Sequence, residues 1–162
     1  MYKRKECLTV AQVDVAMLIG IPGSGKSTWG LDAIKNTEGP VRYISSDEIR
    51  ERQFGDVADM DHNNKVFSIM LYELADALSR KEAVVLDATF VKRSERAPYL
   101  KLAKKHGANV TAYFVKTELD EALKRNAQRK RKVPPEAIRQ RHAELEEPTE
   151  AEGFNRIIFI DG

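Results

Sequence analysis

The sequence predicts an α/β three-layer sandwich on a mainly parallel sheet, and three observations predict it. Short apolar, β-rich runs alternate with longer stretches of helical spacing. Each connection between runs is long enough to return the chain to a parallel strand. A glycine-rich loop follows the first firm run and leads straight into a helix. In such sheets ligands bind beyond the carboxyl ends of the strands, so that edge is where chemistry is expected.

Taken in order, residues 1–14 combine a basic start, Lys3-Arg4-Lys5, with an apolar segment in which Leu8-Thr9-Val10 is a candidate edge strand. Gln12 and Asp14 interrupt that segment, so a secretory leader is not expected. Val15-Ala16-Met17-Leu18-Ile19 is continuously apolar and reads as a buried strand. Beyond the glycine loop, Ser27 to Ile34 reads as a helix, stopped near 36–40 by Gly39-Pro40. Val41 to Ser45 alternates as a second strand, and Ser46 or Asp47 is placed to cap a helix beginning at Glu48. Residues 52–64 turn polar and read as a surface connection that could line an acceptor channel. Val66, Phe67, Ile69, Met70, Leu74 and Leu78 fall mostly at helical spacing, which predicts a helix over 65–80 with Met70 in its core stripe.

Ala83-Val84-Val85-Leu86-Asp87 is an apolar run ending in a carboxylate, as expected of a central parallel strand. A helix from Ser94 to His106 follows, closed by Gly107. Val110 to Val115 is the next strand and Glu118 to Arg129 the next helix. Pro134-Pro135 stops that helix and starts a last one running to about Glu147, and Ile157 to Ile160 supplies the final strand.

The 162 residues suffice for one domain, 1–162, that buries about 70% of its unfolded surface. A net charge of +2 is too mild to argue for nucleic-acid binding by itself. Cys7 is the lone cysteine, which excludes an intrachain disulfide and makes a reducing, cytoplasmic setting the default expectation. No apolar run is long enough to span a membrane, so no membrane partner is expected. His62, His106 and His142 are scattered without ligand spacing, and no zinc site is predicted.

Gly20-Ile21-Pro22-Gly23-Ser24-Gly25-Lys26-Ser27-Thr28 matches G-x-x-x-x-G-K-[ST], the Walker A or P-loop pattern. A triphosphate is held mainly by backbone N–H groups, which reach it only where side chains do not intrude; Gly20, Gly23 and Gly25 clear that space. The helix start at Ser27 and Thr28 offers unpaired donors and partial positive charge to the phosphates, with Ser24 in the loop itself. Lys26 is placed to bridge the β- and γ-phosphates and the Ser27 hydroxyl to hold Mg²⁺, which predicts ATP with Mg²⁺ as the bound pair.

Asp47 lies just beyond the second strand with Arg50 three residues on, along one helical face. The pair reads either as a base with an acceptor-phosphate clamp or as a capping Asp with a solvated Arg. Asp87 ends its strand as a Walker B carboxylate does, placed to hold Mg²⁺ directly or through water, or simply to close the strand. Lys124-Arg125 and Arg129-Lys130-Arg131-Lys132 put six basic residues in nine positions. Such a run is ordinarily a solvated face, yet Arg125 and Arg129 are spaced i and i+4, which would suit a helical lid over 118–147 carrying two arginines to the transferring phosphate. An arginine there can be worth about 10³–10⁵ in rate.

With these residues in hand the chain, from Val15 to Asp161, resembles the kinase domain of the 5′-polynucleotide kinase family, phage-type and bacterial end-healing. The P-loop through Trp29, Ile44-Ser45-Ser46-Asp47-Glu48-Ile49-Arg50, Val85-Leu86-Asp87-Ala88-Thr89 and Lys124 to Arg129 resemble its four motifs. The resemblance implies a P-loop NTPase fold and transfer of the ATP γ-phosphate to 5′-OH ends of DNA or RNA in end repair. Asp47 would be the general base, and Arg50 would contact the phosphate beside the attacking hydroxyl. Lys26, Arg125 and Arg129 would stabilise the transition state. Phe90 departs from the Asn that many members carry after Asp-Ala-Thr. No haloacid-type Asp-x-Asp-x-Thr is present, so a phosphatase or ligase would be a separate polypeptide. Two other readings stand beside this one: a P-loop kinase of a small hydroxylated metabolite or antibiotic, and a nucleotide-binding regulator without transfer.

Overall fold

The structure is a computed structural model that describes residues 14–162. Cys7, the Lys3-Arg4-Lys5 start and the candidate strand at Leu8-Thr9-Val10 lie outside the described residues. Five strands alternate with six helices: β1 (Val15–Ile19), α1 (Lys26–Lys35), β2 (Val41–Ser45), α2 (Ser46–Phe54), α3 (Asn63–Ser79), β3 (Ala83–Asp87), α4 (Arg93–Lys105), β4 (Val110–Lys116), α5 (Leu119–Ala127), α6 (Pro135–Glu144) and β5 (Arg156–Asp161). All strands pair in parallel, in the order β2-β3-β1-β4-β5.

The sheet has this form because β1 has no polar side chain to show to water on either face. Its five residues are fully buried and alternate between two cores. Val15, Met17 and Ile19 face a large cluster that includes Val66, Met70 and Leu74 of α3 and Tyr99 and Leu100 of α4. Ala16 and Leu18 face a smaller cluster with Ala33 and Trp29 of α1. Helices therefore cover both faces, giving the three-layer α/β sandwich. The register sets Asp87 beside Leu18 and Ser45, so β1, β2 and β3 end together at one edge.

The chain departs from its sequence reading at several element ends. Ser45, rather than Ser46 or Asp47, caps α2: its Oγ accepts from the Glu48 N–H at 3.4 Å. Asp47 consequently sits inside the first turn, and α2 runs on to Phe54. α5 ends at Ala127 instead of Arg129, which removes Arg129 from the helical face it was expected to share with Arg125. The cause is Asn126, which spends its amide on Val133: Nδ2 donates to the Val133 carbonyl at 2.7 Å and Oδ1 accepts from the Val133 N–H at 2.9 Å. That clamp folds the basic run back as a loop, where its like charges need not stack along a helix. Pro134 and Pro135 open α6 but do not end α5. α6 stops at Glu144, short of Glu147, where the Glu146 N–H turns to the Val91 carbonyl at 2.8 Å. Ile138 seats α6 against Ile21, Val91 and Ala122. Among the described residues no helix is long and apolar enough to cross a membrane.

Candidate functional site

The loop between β1 and α1 takes its shape from glycine. Gly23 and Gly25 hold φ of +85° and +86°, and a Cβ on Gly23 would meet the Ala122 carbonyl oxygen at 2.6 Å, a backbone atom that cannot step aside. Gly25 precedes α1 without a side-chain cap, and no acidic residue stands in the first turn. The first N–H groups of α1 are thus left for an anion. The loop is tied down at both ends: the Gly20 N–H donates to the Thr89 carbonyl at 3.1 Å, and the Ser24 carbonyl accepts from Arg125 Nη1 at 3.2 Å.

A cleft of about 600 Å³ opens at the carboxyl edge of the sheet. It brings together Gly23, Gly25, Lys26, Ser27 and Thr28 of the loop and α1, Asp47 and Arg50 of α2, Asp87 of β3, and Arg125 and Arg129. Gly20 and Ser24 stand behind the wall rather than in it. Arg129 reaches the cleft from the loop after α5, not from the helix. Met60, Asn63 and Phe67 also line it, so the polar connection and the start of α3 form part of the cleft wall.

Arg50 is buried, yet it is only partly satisfied. Nη1 donates to Asp47 Oδ1 at 3.1 Å and Nη2 to Asn63 Oδ1 at 2.9 Å, while Nε is buried without a partner. Burial lowers the guanidinium's pKa below its ordinary value, and the adjacent Asp47 charge opposes that shift. Arg131 Nη1 approaches Asp47 Oδ2 at 3.9 Å from the other side. Two guanidiniums therefore flank one exposed carboxylate.

Asp87 is buried, accepts a hydrogen bond from the Tyr43 phenol, and makes no ion pair with a Lys or Arg among the described residues. A buried carboxylate partnered only by a neutral phenol lacks a counter-charge. Among the described residues no group of three His, Cys, Asp or Glu could hold a metal by itself. That donor set fits Mg²⁺, which takes one or two protein oxygens and completes its shell with phosphate and water; Ser27 and Asp87 would hold it.

Sequence reasoning missed the far wall. Arg141 Nη2 donates to Thr89 Oγ1 at 2.7 Å and to Glu95 Oε2 at 2.8 Å, Nη1 donates to Glu144 at 3.0 Å, and Lys92 pairs with Glu144 at 3.3 Å. Ala137, Gln140, Arg141 and Glu144 recur at helical spacing on α6, and that spacing was the available signal. Phe90 adopts φ +47°, a conformation that Asn tolerates better, held by edge contact with Tyr99 and by buried Arg96, which donates to the Phe90 carbonyl at 2.8 Å.

The family described as AAA domain matches residues 15–148. The L-seryl-tRNA(Sec) kinase of Methanococcus maripaludis is 29% identical over 142 residues, 82% of this chain and 52% of that protein. The chain thus spans about half the length of this curated relative. Among solved structures, a chain of the Pnkp1/Rnl/Hen1 RNA repair complex is similar with a TM-score of 0.71 and 21% identity, covering 82% of this chain and 44% of that one. A gluconokinase from Sinorhizobium meliloti 1021 is similar with a TM-score of 0.60 and 22% identity, covering 91% and 81%. These structural likenesses carry the fold.

Proposed function

Because the chain belongs to the AAA domain family and has the P-loop kinase fold, we propose that it is an ATP-dependent polynucleotide 5′-hydroxyl kinase acting on DNA or RNA ends. The observation that carries this reading is Arg50: a buried guanidinium in the cleft wall, with an unpartnered Nε, beside an exposed carboxylate. Arg50 lines the cleft, where its positive charge would meet an acceptor phosphate next to the reacting hydroxyl. Arg131, on the opposite side of Asp47, doubles the positive charge at that point.

Asp47 accepts the proton of the 5′-hydroxyl as its oxygen bonds to the γ-phosphorus, the bond to the β,γ-bridging oxygen breaks, and ADP leaves. The first turn of α1 and Lys26 hold the phosphates, and Arg125 and Arg129 offset charge on the transferring group. Ser27 and Asp87 would hold Mg²⁺, which would supply positive charge to offset that of the phosphates. The names of the tRNA-linked kinase and of the RNA repair complex support an acceptor hydroxyl carried on RNA. The charge-compensated wall of Arg141, Glu95 and Glu144 favours a second reading, a small polyhydroxylated acceptor, in keeping with the gluconokinase likeness.

The test is transfer of labelled γ-phosphate from Mg·ATP to 5′-OH DNA and RNA oligonucleotides, with 5′-phosphorylated oligonucleotides and gluconate as parallel acceptors. Label on 5′-OH ends alone is the expected result. Label on gluconate with inert oligonucleotides would replace the acceptor and keep the kinase. ATP binding without transfer to any acceptor, unaffected by Asp47→Ala and abolished by Lys26→Ala, would favour a regulator.

A further inference from the structure

Tyr43 belongs to none of the motifs above, yet its hydroxyl contacts Asp87, one of the candidate metal ligands. In the sheet, Tyr43 pairs with Val85 and Ser45 with Asp87, so residues 43, 45, 85 and 87 share one face, the face that α1 covers. The ring packs with Ala16, Leu18 and Val85. Its hydroxyl reaches diagonally to Asp87 and donates to Oδ2, and the hydroxyls of Ser27 and Ser45 adjoin the same phenol oxygen.

We propose that Tyr43 is a positioning residue: by fixing Asp87 Oδ2 it turns the other carboxylate oxygen toward Ser27 and sets how tightly the cleft takes Mg²⁺ together with a nucleotide. A carboxylate on its own can rotate about its last bond, and each orientation that faces away from Ser27 weakens the cation site. The phenol removes that freedom while adding no charge. Asp87 therefore gains an orienting partner that is not a cation. A lysine or arginine in the same place would orient the carboxylate equally well but would compete with Mg²⁺ for its charge.

The proposal rests on the nucleotide-and-Mg²⁺ part of the reading above and not on the identity of the acceptor. Its test uses ADP alone. Calorimetric titration of ADP into the full chain, in EDTA and across a series of Mg²⁺ concentrations, gives the Mg²⁺ midpoint at which ADP binding tightens. Tyr43→Phe keeps the ring and removes only the hydroxyl; the expected midpoint rises about 10- to 100-fold, while ADP affinity in EDTA is little changed. Asp87→Asn should lose most of the Mg²⁺-dependent gain, and adding Tyr43→Phe to it should change the midpoint little, because the hydroxyl acts through the carboxylate.

An unchanged midpoint in Tyr43→Phe overturns the proposal. So does an equal loss of ADP affinity with and without Mg²⁺, or an additive effect in the double variant, since each marks a packing role. The double-variant comparison decides the matter even if Tyr43→Phe melts lower. Failure of transfer to oligonucleotides, with the midpoint shift intact, would remove the polynucleotide acceptor and leave Tyr43 in its role.

Discussion

Arg50 and Asp47 are joined at 3.1 Å one helical turn apart on α2, and they occupy opposite environments: the arginine side chain is 7% exposed and the aspartate 57%. The buried partner is fixed by Asn63 as well, so the guanidinium orients the carboxylate rather than the reverse. A carboxylate fixed at one oxygen by Arg50, approached at the other only to 3.9 Å by Arg131 and still 57% exposed, is suited to receive a proton from an incoming hydroxyl.

Asp47→Ala should therefore lower the transfer rate by about 10²–10⁴ while ADP affinity holds. Steady-state kinetics with parallel nucleotide titration checks the split. Arg50→Lys should rescue little of the loss seen with Arg50→Ala, since an ammonium cannot satisfy Asp47, Asn63 and an acceptor phosphate from one planar fork.

On the donor side, Arg125→Ala should cost about 10³-fold or more in transfer, at least as much as Asp47→Ala. Arg131→Ala should act differently, raising KM about tenfold for acceptors with a phosphate beside the hydroxyl and leaving ATP KM unchanged. Lys130 does not line the cleft, and Lys130→Ala is the matched control.

Phe90 makes a separate prediction about stability. Its backbone stands at φ +47°, where a side chain costs about 1–2 kcal/mol relative to glycine, while its buried ring is worth about 3–5 kcal/mol. Both Phe90→Ala and Phe90→Gly should destabilise, with glycine the milder by about 1 kcal/mol. That reverses the usual order of the two residues in the unfolded-state argument. Urea unfolding of the pair is the measurement.

Acid should weaken the packing of α6 on the cleft. Hydrogen bonds from Gln140, then from Lys92 and Arg141, hold the Glu144 carboxyl below its ordinary value of 4.5, and those from Arg42 and Arg80 hold Asp76 below 3.8. A depressed folded pKa gives stability that is present above the unfolded value and is lost as pH falls through the folded one. Melting temperature should accordingly drop below about pH 4.5, and Glu144→Gln should flatten that dependence.

Much of this molecule could be read from the chain alone because its signals are local. The β-rich runs at Val15–Ile19, Val41–Ser45 and Ala83–Asp87 coincide with β1, β2 and β3, because Gly20 follows the first, Pro40 precedes the second and Glu82 and Asp87 bracket the apolar stretch of the third. The P-loop likewise declares itself by spacing. The end of α5 was not legible, since Asn126 takes its partners from Val133 across the intervening loop, a tertiary choice that helix propensity does not see. Arg141 was missed for the same reason: its contacts at Thr89 and Glu95 come from a different part of the chain. At Ser45 the strand's last residue also serves as the helix cap, and the two serines in sequence offered no local way to choose between them.

The strand order carries a kinetic consequence. β1 leads directly into the phosphate loop, but among the described residues its neighbours in the sheet are β3 and β4, both distant in sequence. Closing such distant contacts costs loop entropy before any burial repays it, which makes assembly of the sheet centre slow. The nucleotide pocket therefore forms only when the long-range pairings are complete, and a partly assembled chain cannot capture ATP. In refolding, the recovery of nucleotide binding should coincide with the slowest phase, and nucleotide should chiefly slow the unfolding limb rather than hasten the folding one.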